Sequence, residues 1–140
     1  LKLMNWNNNH DFRYDLQLGN DAEDLAGAFL SGAKVEVKTD FQAYHTGNFF
    51  IEYESRGKAS GIATTQADYY TLIACSPMLR DKRRGSQWPT DIIYAVTIPV
   101  ERLKEICRKH IDSTIGGGDN GSSKGMLLPA TALLTYSPAL

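Results

Sequence analysis

The sequence predicts a mixed α+β fold in which helices flank a central mixed β-sheet. Apolar residues recur at helical spacing in residues 20–30 and 99–110. Helices and strands do not alternate strictly along the chain, which disfavours a purely parallel α/β sheet. Short runs rich in β-branched and aromatic residues predict strands at 34–40, 49–56, 69–75 and 92–98.

The size and composition of the chain indicate one domain. With 140 residues, 42% of them hydrophobic, residues 1–140 can bury a substantial core. Within this domain we expect an N-terminal arm at 1–15 and a flexible Gly/Ser-rich loop at 113–125. No apolar run approaches the ~20 residues that span a bilayer. The sequence therefore predicts a cytoplasmic protein with no membrane partner.

The first helix begins at a polar cap and ends at a glycine. Asn20 or Asp21 can cap it, and Gly32 follows its predicted end near Leu30. The strand over 34–40 comes next, with Val35 and Val37 expected in the core. The strand over 49–56 follows after a turn at 46–48, and we expect the two strands to pair as an antiparallel hairpin.

The second half of the chain contains further strands and one strong helix. A flexible turn at 57–61 and one or two helical turns within 62–68 lead into a buried strand at 69–75. Pro99 is suited to the first turn of the helix that runs to about His110. Cys75 and Cys107 show no C-x-x-C spacing, which favours free structural thiols.

The strand over 34–40 carries the chemically most informative pattern. Residues two apart on a strand point the same way, so Glu36, Lys38 and Asp40 should share one face. A carboxylate beside an ammonium group suits metal-assisted phosphodiester chemistry: the carboxylate holds Mg²⁺, and lysine orients water or neutralises phosphate charge. A surface ion pair is the simpler interpretation of Glu36 and Lys38.

Acidic residues also lie on the neighbouring predicted elements. Glu52 follows Phe50 and Ile51 on the strand over 49–56. Glu23 and Asp24 lie in the first helix, where they could instead complement the helix dipole.

Together these patterns resemble the PD-(D/E)XK nuclease superfamily, and in particular small phage-type or Holliday-junction-resolvase-like members. The resemblance covers about residues 18–100 and rests on an acidic helix and four short segments. These segments are Val35-Glu36-Val37-Lys38, Thr46-Gly47-Asn48-Phe49-Phe50-Ile51-Glu52, Gly57-Lys58-Ala59-Ser60-Gly61-Ile62 and Ala67-Asp68-Tyr69-Tyr70. The resemblance implies a restriction-endonuclease-like core and Mg²⁺-dependent hydrolysis of DNA, with Mn²⁺ able to substitute.

The resemblance also implies roles for individual residues. Glu36 would bind metal, Lys38 would position the attacking water, and Glu23 or Asp24 would match the acid of the first helix. The chain lacks the aspartate that the family carries on a strand before this motif. Either Glu36 and Lys38 form the motif and the missing acid comes from the helix or Glu52, or Glu36 is the early acid and Glu52 begins a variant motif.

DNA binding would depend on local basic groups, because the net charge of the chain is −1. Lys58, Ser60, Arg83 and Arg84 are the predicted DNA contacts, and a homodimer would help so small a protein to cover two strands. Two other functions fit the same pattern: a catalytically silent DNA-binding or structural module, and a Mg²⁺ hydrolase acting on RNA or nucleotides.

Overall fold

The computed structural model describes residues 31–80 and 91–135, together with residues 23, 24 and 27. The chain divides into two compact units, 1–33 and 34–140. In the first unit Glu23, Asp24 and Gly27 are helical. This agrees at those positions with the helix predicted over 20–30.

The second unit contains seven strands and three short α-helices in its described part. The strands are β1 (Val35–Asp40), β2 (Asn48–Ser55), β3 (Lys58–Ala59), β4 (Tyr69–Cys75), β5 (Ile92–Pro99), β6 (Thr114–Gly117) and β7 (Ser123–Pro129). The helices are α1 (Ala43–Thr46), α2 (Val100–Lys109) and α3 (Ala130–Leu134). The predicted α+β class is confirmed.

The strands form two sheets. One has the order β1-β4-β5, with β1 parallel to β4 and β4 antiparallel to β5. The other has the order β3-β2-β7-β6 and is antiparallel throughout. The predicted hairpin of β1 and β2 is therefore wrong. Helix α1 lies between these strands, and Gly47 ends it in a left-handed conformation (φ 73°), so the chain turns away to start another sheet.

The predicted burial of Val35 and Val37 is also wrong, because the opposite face of β1 points inwards. The two valines are 37% and 54% exposed. In the β1–β4 register Glu36 lies beside Tyr70 and Lys38 lies beside Leu72. Tyr70 and Leu72 are each only 1% exposed, so they belong to the core. The charged face of β1 thus continues the buried face of β4 at the edge of the sheet.

The core joins the inner faces of both sheets to helix α2. Its largest fully buried side chains are Tyr70, Phe49, Leu72, Leu103, Leu128 and Cys75. Leu103, Ile106 and Cys107 form the buried side of α2, as predicted. Cys75 and Cys107 are free buried thiols, as predicted. In the part of the chain that the structure describes, no helix is long and apolar enough to cross a membrane.

The Gly/Ser-rich segment over 113–125 is a β-hairpin rather than the predicted flexible loop. Strands β6 and β7 pair there in antiparallel register. Gly117 is required by packing: a Cβ atom at this position would lie 2.6 Å from the ring of Phe50. A Cβ at Gly125 would meet the same ring at 2.6 Å. These glycines therefore leave the space that the Phe50 ring occupies against the sheet.

Candidate active site

A cavity of about 440 Å³ opens where the two sheets meet. Its walls combine charged and hydroxyl groups with aromatic and aliphatic side chains from β1, β2, β4 and the segment over 60–65. The lining residues are Glu36, Lys38, Thr39, Asp40, Phe49, Phe50, Ile51, Glu52, Ser60, Gly61, Thr64, Thr65, Tyr70 and Leu72. The cavity thus brings Glu36, Lys38, Glu52 and Ser60 together, although β1 and β2 are not paired.

Glu36 is held by a cation on one carboxylate oxygen and by a hydroxyl on the other. Lys38 Nζ lies 2.7 Å from Oε1. Thr65 Oγ1 donates a hydrogen bond to Oε2 at 2.6 Å. Burial alone would raise the pKa of Glu36, but the hydrogen bonds from Lys38 and Thr65 outweigh it and the net pKa is lowered. Glu36 is therefore an ionised carboxylate whose charge is already balanced.

Glu52 is positioned from the second sheet. Ser60 Oγ donates a hydrogen bond to Glu52 Oε1 at 2.7 Å. Gly61, at φ 55°, packs directly against the backbone of Glu52, and a Cβ atom there would overlap the Glu52 carbonyl oxygen. The Ser60-Gly61 pair therefore combines a donor for the carboxylate with the space that the backbone needs.

The segment over 60–65 connects the two acids. Its 3₁₀ turn, Gly61–Ala63, separates Ser60, which donates to Glu52, from Thr65, which donates to Glu36. The turn is fixed by a hydrogen bond from the Thr65 amide to the Gly61 carbonyl at 3.0 Å. One rigid turn therefore supplies a hydroxyl to a carboxylate on each sheet.

Asp40 also lines the cavity, but its carboxylate is engaged by the backbone. Oδ1 accepts hydrogen bonds from the amides of Gln42 and Ala43 at 2.8 and 2.9 Å, and Oδ2 accepts one from Phe50 at 3.2 Å. These contacts tie the end of β1 to the start of α1 and to β2. Asp40 therefore fixes the junction of the sheets and has little capacity left for a ligand.

Tyr70 forms part of the inner wall beside Glu36. Its side chain is 1% exposed, and its hydroxyl has no hydrogen-bond partner. Burial, followed by the charge of Glu36, raises the pKa of Tyr70 to about 12. The hydroxyl is therefore a neutral donor throughout the physiological pH range.

Glu54, Asp68 and His45 do not line the cavity. A register shift in the β2–β7 ladder falls between Glu52 and Glu54, and Lys124 Nζ lies 3.2 Å from Glu54 Oε2. Asp68 accepts a hydrogen bond from the Lys34 amide at 2.9 Å, so it has a structural role at the start of β1. His45 packs edge-on against Tyr44, with ring centroids 4.8 Å apart.

The other predicted site residues fall into three groups. Lys58 is exposed on β3. Glu23 and Asp24 are helical residues of the first unit, 1–33. Arg83 and Arg84 lie outside the described residues.

The donor set of the cavity is compatible with a hard divalent cation. Glu36 and Glu52 provide carboxylate oxygens, and Mg²⁺ is commonly bound by one or two carboxylates that are supplemented by water and phosphate oxygens. Among residues 31–80 and 91–135, no three His, Cys, Asp or Glu side chains lie close enough to form a complete protein cage. A cation held by Glu36 and Glu52 would therefore have to complete its coordination with solvent or substrate.

Two residues of the cavity were missed as site residues by sequence reasoning. These are Thr65 and Tyr70, to which the sequence patterns assign no catalytic or binding role. Their roles depend on the parallel pairing of β1 with β4, which places Tyr70 beside Glu36. The repeated hydroxyl pattern of Ser60, Thr64 and Thr65 was the available signal for a donor segment.

Comparison of the chain with protein-family models, with curated proteins and with solved structures finds no match.

Proposed function

We propose that this protein is a Mg²⁺-dependent nuclease that hydrolyses phosphodiester bonds in DNA. The observation that carries the proposal is the convergence of Glu36, Lys38 and Glu52 on one cavity from two different sheets. An inward-pointing charge on an edge strand can serve simply to prevent unwanted strand pairing. That purpose does not require a second acid from another sheet, or a hydroxyl donor for each acid.

The two carboxylates are the proposed cation ligands. Glu36 and Glu52 face the same cavity and are each oriented by a hydroxyl, which reduces the entropy lost when a ligand is bound. A bound Mg²⁺ would stabilise negative charge on a phosphate and lower the pKa of an attacking water. Asp40 supports the geometry of the site by joining the ends of β1 and β2.

Lys38 has a dual role in this proposal. In the free protein its ammonium group neutralises Glu36 at 2.7 Å, and its side chain is 51% exposed. If Glu36 held a cation, the ion pair would open and Lys38 would become available to orient water or to contact a phosphate oxygen. The exposed position of Lys38 allows this movement without disturbing the core.

The choice of DNA as substrate depends on the resemblance to PD-(D/E)XK nucleases. Lys58 lies on the β3 hairpin that follows the strand of Glu52, where a phosphate backbone could be contacted. Arg83 and Arg84 remain predicted contacts, and a homodimer remains a predicted assembly. Nucleic acid binding by a chain with a net charge of −1 would depend strongly on the cation itself.

A catalytically silent DNA-binding module is the second candidate. The closed ion pair between Lys38 and Glu36 favours it, because both groups are stabilised in an arrangement that needs no substrate. The two candidates differ in one respect: only the nuclease requires the pair to open.

The test is a cleavage assay on plasmid DNA, single-stranded DNA, RNA and nucleotides, each with Mg²⁺ and with a chelator. We expect Mg²⁺-dependent cleavage of DNA that is lost in Glu36→Ala and Lys38→Ala. Glu54→Gln and Lys124→Ala are matched controls, because this ion pair lies outside the lining of the cavity. Their activity should stay within about twofold of wild type, since exposed pairs contribute under about 1 kcal/mol.

The outcomes separate the candidates. Cleavage that survives both Glu36→Ala and Lys38→Ala contradicts the assignment of the site. A wild-type protein that retards DNA on a gel but cleaves no substrate supports the binding module. Cleavage restricted to RNA or nucleotides would retain the site and change the substrate.

A further inference from the structure

The buried hydroxyl of Tyr70 has no partner, which is unusual for a polar group in a core. Among the described residues it is the one buried side-chain nitrogen or oxygen without a hydrogen bond. Leaving such a group unsatisfied costs about 1–3 kcal/mol, and phenylalanine would fill the same space without this cost. An orphaned hydroxyl in a candidate site therefore indicates a partner that forms in another state of the site.

The position of Tyr70 identifies that partner. Tyr70 and Glu36 are directly paired on parallel strands, so their side chains leave the sheet side by side. The hydroxyl faces Glu36 and Thr65 closely enough to help lower the pKa of Glu36, but its geometry does not complete a hydrogen bond to either side chain. Both oxygens of Glu36 are already occupied, by Lys38 and by Thr65.

We propose that Tyr70 is a positioning residue that donates a hydrogen bond to Glu36 when this carboxylate leaves Lys38 to bind a divalent cation. This inference rests on the proposed function. The new hydrogen bond offsets the loss of the ion pair and fixes the orientation of the carboxylate. Lys38 is then free for the substrate, and the carboxylate stays bonded to a neutral donor that does not compete with the cation for charge.

The mechanism explains why a tyrosine suits this position. A phenol is neutral at physiological pH, so its hydroxyl can donate a hydrogen bond to a carboxylate beside a cation without adding charge. A lysine in its place would repel the cation, and a phenylalanine would offer no donor. Outer-shell donors of this kind typically change metal affinity or activity by about 10–100-fold when they are removed.

The experiment compares Tyr70→Phe with wild type by calorimetric titration with Mn²⁺ and by thermal unfolding without metal. We expect Mn²⁺ affinity to fall by about tenfold. The thermal midpoint of the metal-free protein should stay equal or rise, because the unsatisfied hydroxyl is gone. Tyr94→Phe is the matched control: this partly buried tyrosine does not itself line the cavity, although it packs against the lining residue Phe49, and its change should leave Mn²⁺ affinity unaltered.

A double-mutant cycle tests whether Tyr70 acts through Glu36. In the Glu36→Gln background, Tyr70→Phe should cause little further loss of Mn²⁺ affinity, since the group it positions has already been changed. Additive losses would overturn the inference, and so would a Tyr70→Phe protein that binds Mn²⁺ within twofold of wild type. If the wild-type protein neither binds Mn²⁺ nor cleaves DNA, the proposed function itself fails. If the wild-type protein does both and Tyr70→Phe changes nothing, only the inference about Tyr70 fails.

Discussion

Glu36 and Glu52 face the same cavity from different sheets, and their surroundings differ in one important respect. Each accepts a hydrogen bond from a hydroxyl of the segment over 60–65. Glu36 also forms an ion pair with Lys38, whereas no ion pair is found for Glu52 among the described residues. The two acids are thus similarly oriented but differently neutralised.

The difference indicates a division of roles between the acids. A cation entering the cavity would meet Glu52 with its charge unbalanced, whereas it would have to compete with Lys38 for Glu36. We infer that Glu52 provides the initial attraction and that Glu36 joins when the ion pair opens. The following changes alter this asymmetry, and they are ordered by the size of the expected effect.

Lys38→Ala should separate metal binding from catalysis. Cleavage should fall by about 10²–10³-fold, because removing one donor that stabilises charge on the reacting group typically costs that much. Mn²⁺ affinity should rise, because Glu36 no longer has a competing cation. Single-turnover cleavage and calorimetric titration measure the two effects, and a joint fall in both quantities would contradict the division of roles.

Gly61→Ala should disrupt the wall that positions Glu52. Gly61 combines a positive φ of 55° with a Cβ direction that meets the Glu52 backbone. We expect a loss of about 3 kcal/mol in the free energy of unfolding, measured by urea denaturation. Gly57→Ala is the matched control: its φ is 76° but the space around it is open, so about 1 kcal/mol is expected. Equal losses would show that packing against Glu52 contributes nothing.

Glu52→Gln and Glu36→Gln should weaken metal binding to different extents. In the substrate-free protein we expect Glu52→Gln to reduce Mn²⁺ affinity by about 100-fold, or about 2.7 kcal/mol. Glu36→Gln should reduce it by about tenfold, because Glu36 first has to leave Lys38 and its net contribution is smaller. Calorimetry on both variants measures the difference, and the reverse order would contradict the proposed asymmetry.

The pH dependence of stability should reflect the hydrogen bond from Thr65 to Glu36. A carboxyl whose folded pKa is lowered stabilises the protein above its unfolded pKa of 4.5, and this stability is lost as the pH falls through the folded value. In Thr65→Val, the free energy of unfolding that is lost between about pH 5 and pH 3 should be smaller than in wild type by roughly 1 kcal/mol or less.

The control for the pH experiment is Thr71→Val. Thr71 forms an exposed hydroxyl pair with Thr97 at 2.9 Å and has no carboxylate partner. Its change should shift the free energy of unfolding equally at all pH values, without altering the decrease below about pH 5. If Thr65→Val leaves this decrease unchanged, the Thr65 hydroxyl does not stabilise the ionised form of Glu36.

Local patterns in the sequence predicted most elements but not their pairing. The alternation of residues 35–40 correctly grouped Glu36, Lys38 and Asp40 on one face. It could not reveal which face points inwards, because the valines appeared the better core residues. That choice was decided by the register with Tyr70 and Leu72 on β4, a distant strand.

The acidic residues of the candidate site could be predicted from the sequence, but their arrangement in space could not. Glu36 and Glu52 share a cavity because the segment over 60–65 spans two sheets, whereas the sequence suggested adjacent strands. The glycines at 116–118 suggested mobility, and the packing role of Gly117 became clear only with the ring of Phe50 in place. Long-range pairing is therefore the information that local periodicity lacks.

The most direct test of the central claim, that Glu36 and Glu52 hold one cation, is anomalous diffraction from crystals soaked in Mn²⁺. We predict a single peak in the cavity at roughly 2.0–2.2 Å from a carboxylate oxygen of each residue, with Lys38 displaced from Glu36. A peak bound by other residues, or a cavity without a peak in a protein that cleaves DNA with Mn²⁺, would contradict the claim.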